Sequence, residues 1–138
     1  MEINKYKKFH KIKRISKQEK FILTNPQQGF YALRALETGF ITPEQLESSR
    51  RIISRITKRS GKILLKVKFA QALTKKPLLS RMGKGCGSFD RWISYLKKGK
   101  IILELKGVPK KLALAALKAV CKRLPTRFEI LQREIIDV

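Results

Sequence analysis

The sequence predicts an α+β fold, in which two helices pack on an antiparallel sheet and which carries a basic N-terminal arm and a long glycine-rich loop. Three observations predict it: two segments with apolar residues at helical spacing, several short β-like apolar segments, and turn residues between them. A chain of 138 residues is long enough for one domain with a modest core. We assign residues 1–20 to the arm and residues 21–138 to the domain.

Charge is the dominant feature of the composition. The chain has 33 Lys and Arg against 10 Asp and Glu, a formal net charge of +23. A compact chain with this charge repels itself, so we expect a polyanionic partner: a nucleic acid, an anionic membrane or an acidic protein. The apolar fraction of 43% is that of a folding chain. The sequence has no apolar run of about 18 residues, so it predicts no membrane span.

The first twenty residues carry eight Lys and Arg, with Tyr6 and Phe9 interleaved among them. One interpretation is a solvated, disordered basic tail. The other is an arm that becomes ordered on RNA, with its cations on phosphates and its rings stacked on bases. The net charge favours the second interpretation and makes Lys7, Lys8 and Lys11 candidate contacts.

The clearest helix is predicted from Thr42 to Ser60, after β-like segments at 30–36 and 39–41. Thr42 can cap it, Pro43 suits its first position, and Gln45 completes a capping box. Its apolar stripe consists of Leu46, Ser49, Ile52, Ile53 and Ile56. On nearly the opposite face, cations without acidic partners form a basic stripe that consists of Arg51, Arg55, Lys58 and Lys62. Such a stripe is typical of a surface that faces phosphates.

The remaining elements follow from alternation and turn residues. "KILLKVKF" at 62–69 predicts a strand with Leu65, Val67 and Phe69 inward and Lys66 and Lys68 outward. Residues 70–88 are assigned to a linker, and 91–96 and 101–106 to a β-hairpin around "KKGK", with Trp92 at the core or its edge.

A second helix is predicted from 107–109 to about residue 124, before a strand at 126–135. Its apolar stripe consists of Leu114, Leu117, Cys121 and Leu124. Cys121 is therefore expected to be a small core residue and not a nucleophile.

The stretch "SRMGKGCG" at 80–87 does not match the known glycine-rich nucleotide-binding patterns. None of the three Gly-Lys pairs is followed by Ser or Thr, so the P-loop pattern is absent. The dinucleotide fingerprint also fails, because the stretch reads G-x-G-x-G and a predicted strand follows it instead of a helix.

Catalytic chemistry has little support in the sequence. His10 has no expected fixed partner, and Cys86 lies among cations but has no expected histidine base. Two distant cysteines and one histidine exclude a disulfide framework and a His/Cys metal centre. We therefore expect no enzyme activity, no metal and no cofactor.

A polyanion-binding loop is the interpretation that remains. Residues 75–87 contain four cations and no acid, and their glycines let backbone N–H groups approach phosphates. The alternative is a mobile surface loop with incidental charge.

Two motifs identify a family. "RMGKGCG", with Trp92 five residues beyond it, and "KRSGKILLKVKF" at 58–69 resemble the two signatures of the L-sixteen family of large-subunit ribosomal proteins, the bacterial and organellar type. Further similar segments run in order along nearly the whole chain: "KYKKFHK", "GFYALRALETGFITPEQLESSRR", "KPL", "KGKIILELKGVP" and "KRLPT". The chain departs from the family pattern at Leu64, at Cys86 (usually Lys), and in the arm after "KYKKFHK".

The resemblance implies a structural component of the large ribosomal subunit. It implies binding to large-subunit rRNA near the peptidyl-transferase region, with aminoacyl-site tRNA and other large-subunit proteins nearby, and no homo-oligomer. The rRNA contacts expected from charge and resemblance are Lys7, Lys8, Lys11, Arg51, Arg55, Lys58, Arg59, Lys62, Lys66, Lys75 and Lys76. The residues carried over to the loop near rRNA and tRNA are Arg81, Met82, Gly83, Lys84, Gly85 and Gly87.

Three other interpretations stay open on the sequence: a free-standing RNA chaperone or regulator of the same fold, an enzyme using Cys86, and a membrane-surface peptide. The compartment is inferred from composition and from a family-like N-terminus that begins at Met1 with almost no leader. The preference for Lys over Arg, 22 to 11, is consistent with an AT-rich genome. We expect an organelle-encoded protein of a mitochondrial ribosome, with a bacterial cytoplasm or a plastid as alternatives.

Overall fold

The computed structural model describes residues 7–10 and 25–133. These residues form two helices, α1 (Pro43–Ile56) and α2 (Lys110–Cys121). They also form eight strands: β1 (Lys8–Phe9), β2 (Tyr31–Ala35), β3 (Gly39–Ile41), β4 (Lys62–Leu65), β5 (Gln71–Lys75), β6 (Ser88–Leu96), β7 (Ile101–Lys106) and β8 (Phe128–Gln132). The predicted α+β class is confirmed.

The strands divide between two four-stranded sheets. The first has the order β1-β5-β6-β3, in which β1 runs parallel to β5 and the other pairs are antiparallel. The second has the order β4-β7-β2-β8 and is antiparallel throughout. The division of the chain at residue 20 stays a prediction, although Lys8 and Phe9 of the proposed arm belong to the first sheet.

The core joins the second sheet to both helices. Five consecutive residues of β7, Ile101–Leu105, are buried, which is expected of a central strand covered on both faces. The cluster continues through Leu33 of β2, Ile53 of α1 and Leu117 of α2. Among the described residues, neither helix has the length and apolarity needed to cross a lipid bilayer.

Helix α1 begins as predicted and ends early. Gln45 N donates to Thr42 Oγ1 at 3.4 Å, and Thr42 N donates to Gln45 Oε1 at 3.0 Å, so both bonds of the capping box are present. The helix ends at Ile56 and not at Ser60, because Lys58 and Arg59 adopt left-handed backbone angles, with φ of 49° and 64°. The predicted C-terminal turn of this helix was wrong.

The strand predicted at 62–69 is also shorter than expected. β4 ends at Leu65, and the predicted inward position of Leu65 was wrong because this side chain is exposed. Ile63 packs against the core instead, opposite Leu105 of β7. Val67 and Phe69 reach the core after the strand has ended, so the alternation in the sequence spans a strand and an irregular segment.

The predicted hairpin at 91–106 was wrong. β6 pairs with β5 and β3, whereas β7 pairs with β2 and β4 in the other sheet. The Gly99 N–H donates to the Ala35 carbonyl at 2.7 Å, so the "KKGK" turn leads the chain from one sheet to the other. Strand β5 lies in the segment assigned to a linker; its buried residues, Ala72 and Thr74, are too small or polar to signal a strand.

The second helix lies where it was predicted, but only part of its predicted apolar stripe is fully buried. Leu117 and Leu124 are buried, whereas Leu114 and Cys121 are half-buried, and the buried face is completed by Ala113, Ala116 and Val120. Burial raises the pKa of the Cys121 thiol, which is consistent with a packing role. Trp92 is half-buried and packs on Phe89 with ring centroids 5.5 Å apart.

Candidate nucleic-acid interface

A long loop joins β5 to β6 and presents the glycine-rich stretch to solvent. Gly83, Lys84 and Gly85 have φ angles of 94°, 56° and 77°, a left-handed path that two glycines make accessible. Apart from the adjacent residues of the chain, no described residue lies within 4 Å of the place where a Cβ would stand on Gly83 or Gly85. The loop therefore extends away from the packed sheet, with the exposed side chains of Arg81 and Lys84 on it.

The base of this loop is closed by a backbone contact. A Cβ on Gly87 would lie 2.2 Å from the Lys75 carbonyl oxygen, so only glycine fits where the two limbs meet. Lys76 Nζ donates to the Gly83 carbonyl and ties the base to the tip. Lys76 therefore supports the loop conformation, in addition to its predicted phosphate contact.

The described part of the basic arm, residues 7–10, lies beside the strand that leads into this loop. Lys8 pairs with Ala72 and Phe9 with Leu73 in the parallel β1–β5 ladder. The Thr74 hydroxyl donates to the Phe9 carbonyl at 3.3 Å. The exposed Lys7 and Lys8 are therefore held next to the strand from which the loop departs, whereas the predicted contact Lys11 falls outside the described residues.

His10 and Cys86 form a pair that the sequence interpretation did not anticipate. His10 Nδ1 lies 3.8 Å from Cys86 Sγ, so the expectation that Cys86 has no histidine nearby was wrong. A cavity of about 500 Å³ lies beside the pair, lined by His10, Thr74, Lys76, Met82, Gly85, Cys86 and Gly87. Within the described residues, no third His, Cys, Asp or Glu joins them to make a metal-binding group.

The basic stripe of α1 is partly neutralised. Arg51 Nε lies 3.1 Å from Glu47 Oε1, and Arg50 NH2 lies 2.8 Å from the same oxygen. Hydrogen bonds from Arg50 and then Arg51 lower the pKa of Glu47 to about 2. The expectation that the stripe has no acidic partner was therefore wrong for Arg51, whereas Arg55 is exposed on the same helix.

The other predicted cations near β4 differ in their surroundings. Lys58, Arg59 and Lys62 are exposed around the turn between α1 and β4. Lys66 is half-buried: its Nζ donates to Gln28 Oε1 at 3.1 Å and lies 3.9 Å from Glu104 Oε1. Lys66 therefore acts as a counterion within the fold.

Glu104 is the buried partner of Lys66 on the central strand β7. Its carboxylate accepts backbone N–H groups from Gln28 at 2.9 Å and Gly29 at 2.8 Å, with Gln27 at 3.4 Å. Burial alone raises the pKa of this carboxyl, but the three N–H donors and Lys66 outweigh burial and lower it. The carboxylate thus fixes the 27–29 turn against the core.

The acids are unevenly distributed along the chain, and one long basic segment contains none of them. Residues 48–89 contain twelve Lys and Arg and no Asp or Glu. Elsewhere in the described chain, acids form ion pairs with neighbouring cations: Glu37 with Arg127, Glu47 with Arg50 and Arg51, Asp90 with Arg91, Glu104 with Lys66, and Glu129 with Arg34. The acid-free segment therefore presents cations suited to a polyanion.

The sequence interpretation missed one feature of the loop. Leu78 and Leu79 are 94% and 99% exposed, beside Met82 at 99%. The available signal was a pair of leucines that belongs to neither a helical nor an alternating apolar pattern.

The fold and this surface define a small, strongly basic α+β protein. The family model "Ribosomal protein L16p/L10e" matches residues 1–131, and the chain belongs to this family. Because the proteins of this family are structural, the expectation that the chain is not an enzyme is confirmed.

Individual relatives agree with the family assignment. The large ribosomal subunit protein uL16 of Blochmanniella pennsylvanica (strain BPEN) is 39% identical over 129 residues, which cover 94% of each chain. The large ribosomal subunit protein uL16c of Nephroselmis olivacea is 39% identical over 105 residues, covering 76% of this chain and 78% of that protein. The large ribosomal subunit protein uL16c of Euglena longa is 36% identical over 126 residues, covering 91% and 94%. The family resemblance inferred from the two motifs is confirmed.

Proposed function

We propose that this chain is a structural constituent of the large ribosomal subunit that binds large-subunit rRNA through its arm, its loop and the acid-free segment. The observation that carries the proposal is the β1–β5 ladder, which pairs Lys8 and Phe9 with the strand that leads into the glycine loop, so that His10 Nδ1 lies 3.8 Å from Cys86 Sγ in that loop. The relatives described above are large-subunit proteins by name, which supports the same role.

The contacts available to this surface favour recognition of RNA shape and backbone. Exposed cations neutralise phosphates without reading base identity, and the unshielded backbone of Gly83 and Gly85 lets N–H groups approach phosphate oxygens. The contribution of Lys66 is expected to be small, because its ammonium group already has partners within the fold. Each phosphate neutralised releases counterions, so binding of the free protein weakens steeply with salt.

The position within the subunit is part of the proposal. The family resemblance implies that Arg81, Met82 and Lys84 lie near the peptidyl-transferase region and the aminoacyl-site tRNA. The exposed, extended loop is compatible with that position, because a narrow segment reaches into a cleft that a helix does not enter.

The compartment is proposed from the relatives. The described relatives comprise the chloroplast form, uL16c, and a bacterial uL16, and these favour a plastid or bacterial ribosome. A mitochondrial ribosome, the first expectation from composition, has no specific support among them.

Sedimentation tests the ribosomal role. Native lysate is run on a magnesium-containing sucrose gradient, with and without ribonuclease, and fractions are probed for this chain. The proposal requires comigration with the large subunit and dispersal after ribonuclease. A chain that stays at the top in both runs would instead be a free RNA-binding chaperone or regulator, or a protein without an RNA partner.

A matched pair of variants tests the loop. Arg81→Ala with Lys84→Ala removes two loop cations, and Lys110→Ala with Lys111→Ala removes two exposed cations from the start of α2. Both variants are expected to fold, because none of the four residues belongs to the core. We expect the loop variant to assemble into subunits or translate poorly and the α2 variant to behave like the wild type. Equal behaviour of the two variants would argue against a specific role of the loop.

A further inference from the structure

We propose that Leu78, Leu79 and Met82 form an apolar wedge at the tip of the loop that packs against unpaired nucleobases of RNA. The inference deepens the proposed function and rests on it, since it names the part of the RNA that the loop contacts. These three side chains are 94%, 99% and 99% exposed, whereas the other exposed large apolar side chains among the described residues are 38–41% exposed.

The local backbone places two of these side chains outward. Ser80 N donates to the Pro77 carbonyl at 3.2 Å, so Leu78 and Leu79 are the central residues of a tight turn. Central turn positions are usually occupied by Gly, Asn, Asp, Ser or Pro. Leucine does not favour this turn conformation, and neither leucine belongs to the core cluster. Their exposed apolar side chains are therefore available to bind a partner.

The charged residues near the wedge indicate which kind of partner it binds. Arg81 and Lys84 are exposed in the same loop, and Lys75 is exposed at its base. The whole of residues 48–89 lacks an acid, so the charged residues near the wedge along the chain are all cations. Its partner must therefore combine dense negative charge with apolar faces a few ångströms away.

Unpaired RNA has this combination. In duplex RNA the base faces are stacked and the deep groove is closed to side chains, whereas loops and bulges expose base faces beside phosphates. Leucine and methionine side chains are known to insert between bases in other nucleic-acid complexes. An apolar peptide surface lacks the phosphates, so the cations around the wedge favour RNA over a protein partner.

The test compares two RNAs with the full-length chain: an unstructured single strand and a duplex of the same length. The wedge variant is Leu78→Ser, Leu79→Ser and Met82→Ser, and the single substitution Leu79→Ser serves as a milder second variant. Leu112→Ser, at a 39% exposed apolar residue of α2, is the matched control. Circular dichroism and urea unfolding establish that each variant is folded.

The wedge variant is expected to lose affinity for the single strand by about tenfold or more, because burial of even one leucine or methionine side chain contributes a free energy of that order. Its affinity for the duplex and the slope of log K against log salt for either RNA are expected to stay as in the wild type, because no cation is removed. Leu79→Ser is expected to lose part of the same affinity, and the control none.

Three outcomes for the wedge variant would overturn the proposed base contact. Its affinity for the single strand could be unchanged, or it could lose affinity equally for the single strand and the duplex. The slope of log K against log salt could also become smaller, although no cation has been removed. In each of them wild-type binding to RNA still stands, so the proposed function survives. If the wild type binds neither RNA, the proposed function fails, and the wedge fails with it.

Discussion

Replacing Glu104 by Gln tests how the fold anchors the segment before β2. The carboxylate is 2% exposed and accepts two short backbone hydrogen bonds, from Gln28 at 2.9 Å and from Gly29 at 2.8 Å. Lys66 Nζ lies 3.9 Å away. Glutamine has nearly the same shape, but it is neutral and directs an NH2 group toward backbone donors. The substitution therefore removes charge and acceptor capacity with little change in volume.

The magnitude follows from the two short bonds. A hydrogen bond to a charged group contributes about 1.5–3 kcal/mol, and the glutamine oxygen retains part of one of them. We expect Glu104→Gln to lower the free energy of unfolding at pH 7 by roughly 2–4 kcal/mol. A control, Glu37→Gln, affects a half-exposed carboxylate 3.6 Å from Arg127 and is expected to change it by less than about 1 kcal/mol.

The dependence on pH separates charge from packing. Because the pKa of Glu104 is lowered in the folded state, the stability from its charge is present above the unfolded pKa of about 4.3 and is lost as pH falls through the lower folded value. The difference between wild type and Glu104→Gln should therefore be largest at pH 7 and shrink toward pH 3.

Urea unfolding is the suitable assay, because guanidinium chloride would screen a net charge of +23. A difference below about 1 kcal/mol at pH 7 would refute the assigned role of the carboxylate. A difference that stays constant down to pH 3 would show that packing, and not charge, is responsible.

Three further substitutions, one of them with a matched control, have defined expectations. Thr42→Ala removes the side-chain cap of α1 and should lower the free energy of unfolding by about 1 kcal/mol in urea. Gly87→Ala places a Cβ 2.2 Å from the Lys75 carbonyl and should lower it by about 1–3 kcal/mol and increase proteolysis of the loop. Gly85→Ala is its control, because a Cβ there meets open space and the cost of about 1–2 kcal/mol comes from the φ of 77° alone. An equal increase in proteolysis of both variants would contradict the role of Gly87 in closing the base of the loop. Cys86→Ser should leave RNA affinity within about twofold in a filter-binding assay, and a larger loss would give the thiol a role in binding.

The sequence predicted the elements whose signals are local. The residues Thr42, Pro43 and Gln45 are close in the chain, and together they located the start of α1 to the residue. The exposed, basic character of the loop was also predictable, because four cations without an acid in 75–87 cannot be buried. These features depend on neighbours along the chain and require no knowledge of the fold.

Strand pairing was not predictable in the same way. The four residues "KKGK" between β6 and β7 resemble a hairpin turn, but a turn signal does not specify which strands pair. The partners of β7 are β2 and β4, and hydrophobic burial on both of its faces decides this. Likewise, β5 is held by β6 and β1 while its own residues carry weak strand propensity.

The closeness of arm and loop is the least predictable feature and the one with the largest consequence for function. Lys8 pairs with Ala72, more than sixty residues away in the chain, in the parallel β1–β5 ladder. A hydrogen bond from the Thr74 hydroxyl to the Phe9 carbonyl adds to this ladder. In the free protein this pairing fixes a cationic segment on the strand that leads into a second cationic segment, which has an electrostatic cost in a chain of net charge +23. A polyanion that contacts Lys8 and Lys84 at once offsets this cost. Since β5 both pairs with Lys8 and Phe9 and leads into the loop, the fold already holds these two segments in place, and the proposed binding to RNA requires correspondingly less ordering.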